Sequence, residues 1–311
     1  MTALRITIRP ATAFGSPLLG ETLFGQLCWA VLRQSGKDRL EELLEGYCAG
    51  RPFVVLSDAF PKGFVPLPTM PSYLWESHED QDRKYLKKKA WLPLEATSKP
   101  RSRWRDLALT EREAAARFSS RQAPLRTTAV QMHNTINRKT LTTGTGPFAP
   151  YLQTQSWLNP DVPLTVWAVL DEGRMSVEEL FAALSYIGLT GYGRDASIGL
   201  GKFTLEEAIE TLPAPKASTT HLTLASSVLS AVPEILPEET FYKAKTHFGR
   251  HGETLAVAGN PFKRPILLAS AGALVETKEP AAFEFIGAGI SGVSNLEPHT
   301  VHQGYAPVLS I

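Results

Sequence analysis

Ser176-Val-Glu-Glu-Leu-Phe-Ala-Ala-Leu-Ser-Tyr-Ile187 followed by Leu189-Thr-Gly191-Tyr-Gly193-Arg194-Asp-Ala-Ser197-Ile-Gly199-Leu-Gly201-Lys202-Phe203 is the most informative stretch of this chain. The first part has the apolar spacing of an amphipathic helix, with Ser176 as N-cap and Glu179 completing a capping box. The second part places four glycines in eleven positions, then Lys202-Phe-Thr-Leu-Glu alternates as a strand does. Glycine permits positive φ and close backbone approach. Arg194, Ser197 and Lys202 add cations and a hydroxyl beside backbone N–H groups, a set that suits phosphate. The order is helix, glycine loop, strand.

That order excludes two familiar nucleotide sites. A mononucleotide P-loop runs from strand to helix, and here Ala196 stands where its first glycine would be and Phe203 follows the lysine. A dinucleotide fingerprint through Gly191, Gly193 and Ala196 fails on the same context. Taken alone, the loop also fits a surface connection that binds nothing.

The 311 residues have room for two domains, and 43% hydrophobic with 20% charged residues is the composition of a soluble globular protein. No apolar run approaches the roughly 20 residues that span a bilayer. Met1-Thr-Ala-Leu-Arg-Ile-Thr-Ile-Arg9 enters a strand pattern at once, so no signal peptide and a cytoplasmic location are expected. Cys28 lies in an apolar helical run and Cys48 elsewhere, without the spacing of a zinc site or a disulfide framework.

The net charge of +1 hides a segregation. Residues 83–139 hold fifteen Lys/Arg against four acids, +11, which leaves −10 on the remainder. Such a basic block is the footprint of a face that binds a polyanion, and Tyr85, Trp91, Trp104 and Phe118 interleave with it as candidates for base stacking. Arg121 belongs to the same block.

Strands are expected at Leu4–Arg9, Phe53–Leu56, Val162–Leu170 and from Lys202, and helices at Thr22–Leu32 and after Ser176. Between residues 61 and 150 lies a Pro-rich, basic region expected to be irregular. With that insertion set aside the order is β-α-β-β-α-β, the ferredoxin-like (RRM-like) topology. Leu212-Pro-Ala-Pro-Lys-Ala-Ser reads as a linker. The expected architecture is α+β: two ferredoxin-like domains, 1–211 with the insertion at about 61–150, and a smaller 212–311 with short strands at Leu222–Ala225, Ile266–Leu268, Leu274–Val275 and Ala306–Ile311.

On these residues the chain resembles the RAMP superfamily of CRISPR proteins. Within it, the likeness is to the subunit of the type III-A (Csm) effector complex that caps the 5′ handle of the guide RNA. The segments carrying it run in order along the chain: Pro17–Trp29 with Glu21 and Thr22, Leu56–Gly63 with Ser57-Asp58, and His133-Asn134-Thr-Ile-Asn137-Arg138. Gly191–Phe203, Asn260–Pro265 and Gln303–Pro307 follow. The family more often has Asp at position 21, and residues 72–125 do not align. The resemblance implies a non-catalytic crRNA-binding subunit, without cofactor or metal. Such a subunit grips the 5′ handle, docks the large polymerase-cyclase subunit and abuts the first repeated backbone RAMP subunit.

The expected RNA-binding set is Glu21, Thr22, Arg126, His133, Asn134, Arg138, Gly191, Gly193, Arg194, Ser197, Gly199, Gly201 and Lys202. His can stack, Asn can pair with a base edge and Arg can clamp a phosphate. Ser57-Asp58 fits a strand-ending turn whose carboxylate caps nearby N–H groups. The alternative is a RAMP endoribonuclease that processes repeat RNA with a histidine acid or base. Of histidines 78, 133, 221, 247, 251, 299 and 302, only His247-Phe-Gly-Arg-His251 has metal-like spacing, and Gly249 disfavours the helix it would need.

Overall fold

The computed structural model describes residues 1–76, 82–119, 123–256 and 261–311. Arg121, His78 and Asn260 lie outside them. In chain order, β1 (Thr2–Pro10) precedes α1 (Gly20–Ser35), α2 (Lys37–Leu44) and β2 (Val54–Leu56). The middle region holds β3 (Phe60–Pro61), β4 (Phe64–Pro66), α3 (Arg83–Leu86), β5 (Lys89–Pro93), α4 (Trp104–Leu107), β6 (Leu109–Thr110) and α5 (Glu111–Ala115). A hairpin of β7 (Arg126–His133) and β8 (Tyr151–Leu158) leads to β9 (Leu164–Leu170), α6 (Val177–Thr190), β10 (Phe203–Leu205) and β11 (Glu210–Thr211). The remainder is β12 (Ser218–Thr223), β13 (Ala244–His247), β14 (Ile266–Ala269), β15 (Leu274–Ala281), β16 (Phe285–Ile290) and β17 (His302–Ser310).

The chain is a mixed α/β protein with several antiparallel sheets, consistent with a ferredoxin-like arrangement. In the first sheet the strands lie in the order β10-β1-β9-β2, every neighbour antiparallel, with α1 joining β1 to β2 and α6 joining β9 to β10. Both helices cover one face. Leu4, Ile6 and Ile8 of β1 meet Leu23, Phe24 and Leu27 of α1 and Leu180, Leu184 and Ile187 of α6 in one cluster. Each such side chain, fully buried, stabilises the fold by about 1.5–3 kcal/mol of transfer free energy. Strand β9 is buried on both faces: Val166, Ala168 and Leu170 join that cluster, while Trp167 faces a second one with Phe60, Trp75, Leu92 and Trp104. This explains its apolar run from Val166 to Leu170.

The capping box of α6 forms as its sequence requires, Ser176 Oγ accepting from Glu179 N at 3.2 Å and Glu179 Oε2 from Ser176 N at 3.0 Å. Helix α1 has no capping side chain of its own; Asp58 Oδ1 supplies one from the end of β2, accepting from Gly20 N at 2.8 Å. Asp58 thus caps a helix 38 residues away rather than its own turn. Both cysteines are free, with Cys28 packed against the main cluster.

Two expectations are corrected. The middle region is not irregular: β4, β5 and β6 form a three-stranded sheet, and the β7–β8 hairpin extends the excursion to Leu158. Second, the 212–311 half holds no α-helix among its described residues, and its four-stranded sheet runs β15-β12-β17-β16 rather than in the split β-α-β order. Its strands bury consecutive runs instead, Thr220–Thr223 of β12, Leu274–Thr277 of β15 and His302–Val308 of β17. Leu222, Leu224 and Leu274 share the second cluster with Phe60 and Trp104. Gln303 meets β2 edge-on, Oε1 accepting from Leu56 N at 2.9 Å and Nε2 donating to Leu56 O at 2.7 Å. Tyr305 donates to Tyr47 O at 2.7 Å.

Candidate RNA interface

The glycine loop is held mostly by its own hydrogen bonds. Tyr192 N donates to Gly201 O at 2.9 Å, Gly201 N to Ala13 O at 2.7 Å, and Lys202 N to the Thr12 hydroxyl at 2.9 Å. The N–H groups of Ile198, Gly199 and Leu200 close a short 3₁₀ turn over Ala196–Ile198. The expected cradle of free backbone donors is therefore largely satisfied internally. A Cβ on Gly201 would lie 2.1 Å from Tyr192 O, so this glycine serves loop closure rather than ligand approach. Gly199, at φ +96°, faces open space, so of the loop's glycines it is the one whose surface a ligand can approach. Gly191 and Gly193 also have positive φ, but Cβ atoms there would press on Leu200 O and Ser16.

Arg194 differs from expectation in the same way. Its guanidinium donates to Gly15 O at 3.1 Å and Thr154 O at 2.7 Å, its N–H to Ser16 Oγ at 3.1 Å, and it lies 3.2 Å from Asp195 Oδ2. The side chain sews the loop to β8 instead of reaching outward. Gln153 adds a second stitch by donating to Asp195 Oδ2. Ser197 remains exposed and Lys202 half-buried on the outer side.

These stitches bring the loop beside the β7–β8 hairpin, as does Phe14, which pairs with Ser156 through bonds of 2.8 and 2.9 Å. His133, the last residue of β7, stacks on Tyr151 with ring centroids 5.5 Å apart and planes inclined by 17°. Beyond it, Asn134 and Arg138 stand exposed in the connecting loop. Arg126, at the other end of β7, pairs with Glu111 at 3.4 Å. One hairpin face carries exposed Val130, Met132 and Leu152, an apolar strip beside the polar tip.

Glu21 is a correction. Its side chain is withdrawn from solvent, Oε1 accepting from Lys245 Nζ at 2.7 Å with His247 Nδ1 at 3.6 Å, so it cannot face a nucleic acid. Nearby, the Asp58 carboxyl is pushed up to about 7 by burial and by the adjoining Glu21 charge. Burial, then His247, Lys263 and Lys245, drive His302 down to about 3. Thr22 stands near the fully buried Tyr192, whose hydroxyl donates to Pro17 O at 2.8 Å and accepts from Leu19 N at 3.0 Å. Tyr192 was missed by the sequence reading. Its position between two glycines, Gly191 and Gly193, is the signal in the sequence that points to it.

The aromatic residues of the basic block are not stacking platforms. Trp104 is wholly buried, its indole donating to Lys99 O at 2.9 Å; Trp91 packs edge-on against Phe60 and Phe118 against Phe64. Tyr85 is exposed but donates to Glu113, with Lys89 over its ring. Several cations of the block also work inside the fold, as Lys89 does by donating to Arg105 O and Asp106 O at 2.9 and 2.7 Å. Lys84, Lys87, Lys88 and Lys99 remain on the surface. Among the described residues no His/Cys/Asp/Glu group could hold a metal ion, and no helix is long and apolar enough to cross a membrane.

No protein-family model matches the sequence, and no curated protein matches it. Solved structures do. A chain of the Csm3–Csm4 subcomplex in the type III-A CRISPR-Cas interference complex matches with a TM-score of 0.61 at 16% identity, over 99% of both chains. Chains of the Csm1–Csm4 cassette match in complex with AMPPNP (TM-score 0.57, 14% identity, 100% of this chain and 98% of the other) and with cA4 (0.55, 13%, 99% and 98%). Over essentially its whole length, then, this chain has the fold of a subunit found in type III-A Csm assemblies.

Proposed function

We propose that this chain is a non-catalytic RNA-binding subunit of a type III-A interference complex. It grips the repeat-derived 5′ handle of the crRNA and docks the large polymerase-cyclase subunit and the first repeated backbone subunit. The observation that carries the reading is the hairpin tip: the His133–Tyr151 stack, exposed Asn134 and Arg138, and an apolar strip, all braced against the glycine loop. Stacked rings, an amide and an unburied guanidinium are the contacts that hold single-stranded RNA. The full-length likeness in fold supports the same reading.

The histidine environments support a holding role over a cutting one. His133 is engaged in its stack, His251 is bonded to Ser294 at 2.9 Å, and burial lowers both His221 and His302. Electrophoretic mobility shift of the full chain with a handle-bearing RNA tests the proposal. Binding should weaken with salt by about −0.7 in log–log slope per phosphate contacted, and Arg138→Ala should reduce that slope. Unchanged affinity in His133→Ala and Arg138→Ala would remove the hairpin from the interface. Time-dependent cutting of a repeat RNA by the purified chain would overturn the non-catalytic reading in favour of a processing endoribonuclease.

A further inference from the structure

The second half carries a cationic, aromatic surface that the sequence reading did not assign to RNA. Strands β13 and β14 form a hairpin in which Lys245 pairs with Leu268 and His247 with Ile266. The inner face is anchored on the start of α1 by the Lys245–Glu21 ion pair and by His247, whose ring lies 4.9 Å from that of His302. Beyond β13 the chain turns outward. Phe248 is 64% and Phe262 58% exposed, and the Arg250 guanidinium sits 5.8 Å over the Phe262 ring. Backbone bonds from Lys263 N to Gly249 O and from His251 N to Pro261 O, both 2.8 Å, hold the two aromatic segments side by side.

Residues 242–252 and 261–269 contain five Lys/Arg (243, 245, 250, 263 and 264) and no Asp or Glu, with Glu253 between the two segments. Lys245 is used by Glu21 and Arg264 by Asn295, leaving Arg250 exposed over the Phe262 ring. Large apolar rings left in solvent among cations mark a binding surface rather than a solvated face. Their charge selects a polyanion. The surface also adjoins the glycine loop through α1: Tyr192 of the loop contacts Leu19, and Glu21, two residues on, contacts Lys245.

We propose that this C-terminal platform is a second single-stranded RNA site, with bases stacked on Phe248 and Phe262 and phosphates met by Arg250. It rests on the RNA-binding reading above and extends the RNA path from the β7–β8 hairpin across the start of α1. Fluorescence anisotropy of the full chain with a labelled single-stranded RNA of about 16 nucleotides tests it. Removing a base–aromatic stack weakens binding roughly five- to 150-fold, so Phe248→Ala with Phe262→Ala should lower affinity at least fivefold. Arg250→Glu, on an exposed residue, should weaken binding by a factor that shrinks as salt rises. Thermal melting identifies the variants that remain folded. Wild-type affinity in the folded double variant overturns the platform, and if Arg138→Ala still weakens binding, the proposed function stands without it. Loss of an acidic partner subunit with RNA affinity intact would assign the surface to protein docking and overturn the proposal. A wild-type chain that binds no RNA overturns both readings.

Discussion

Gln303 offers a direct measure of how tightly the two halves depend on each other. Its amide is wholly buried and spans both backbone groups of Leu56, accepting from N at 2.9 Å and donating to O at 2.7 Å. Strand β2 ends its sheet, so Gln303 takes the place of a neighbouring strand along that edge. Gln303→Leu keeps the volume and removes both partners at once. A buried polar group stripped of its hydrogen bond costs about 1–3 kcal/mol, so two of them predict a loss of about 2–6 kcal/mol. Gln303→Glu is the control. Its carboxylate can still accept from Leu56 N but sets a charge against Leu56 O, so it should destabilise at least as much at neutral pH. Denaturant unfolding followed by tryptophan fluorescence reads the difference, since Trp167 and Trp104 belong to the cluster shared by both halves. A Gln303→Leu loss under about 1 kcal/mol, with the unfolding cooperativity unchanged, would refute the idea that this amide ties the second half to the first.

Asp58→Asn should flatten the pH dependence of stability. The carboxyl rises from its ordinary 3.8 to about 7 on folding, so the native state holds a proton that the unfolded state has lost, and stability falls as pH rises from about 4 to about 7. Asn keeps the acceptor for Gly20 N without the charge, so melting curves at pH 5 and pH 8 should converge; a gap as large as in the parent would sink this account. Gly201→Ala should destabilise severely, because its Cβ would lie 2.1 Å from Tyr192 O, whereas Gly199→Ala meets open space and bears only the strain of φ +96°. Equal melting temperatures for the two variants would contradict that ordering. Trp104→Ala should cost about 3–5 kcal/mol of stability as a buried aromatic does. Isothermal denaturation checks this, and a variant as stable as the parent would show that the indole is not part of the core.

What the chain determined by itself was local or periodic. The capping box at Ser176 and Glu179, the apolar spacing of α1 and α6, the apolar run of β9 and the helix–loop–strand order around Gly191–Phe203 all depend on residues close in sequence. They are enough to give the first sheet its strand order. Charge patterning located the basic block, but charge does not say which side chains face inward. Only the tertiary structure decided that Glu21 is buried beneath Lys245, that Arg194 is bonded to carbonyls from two other segments, and that Trp104 lies in the core. Each depends on partners far along the chain, up to 224 residues away for Glu21 and Lys245, whose approach no local pattern encodes. The same holds for the cationic surface around Phe248 and Phe262. Its residues sit in two separate segments of the sequence, and become a surface because a hairpin, pinned by the Lys245–Glu21 ion pair, turns them out to solvent.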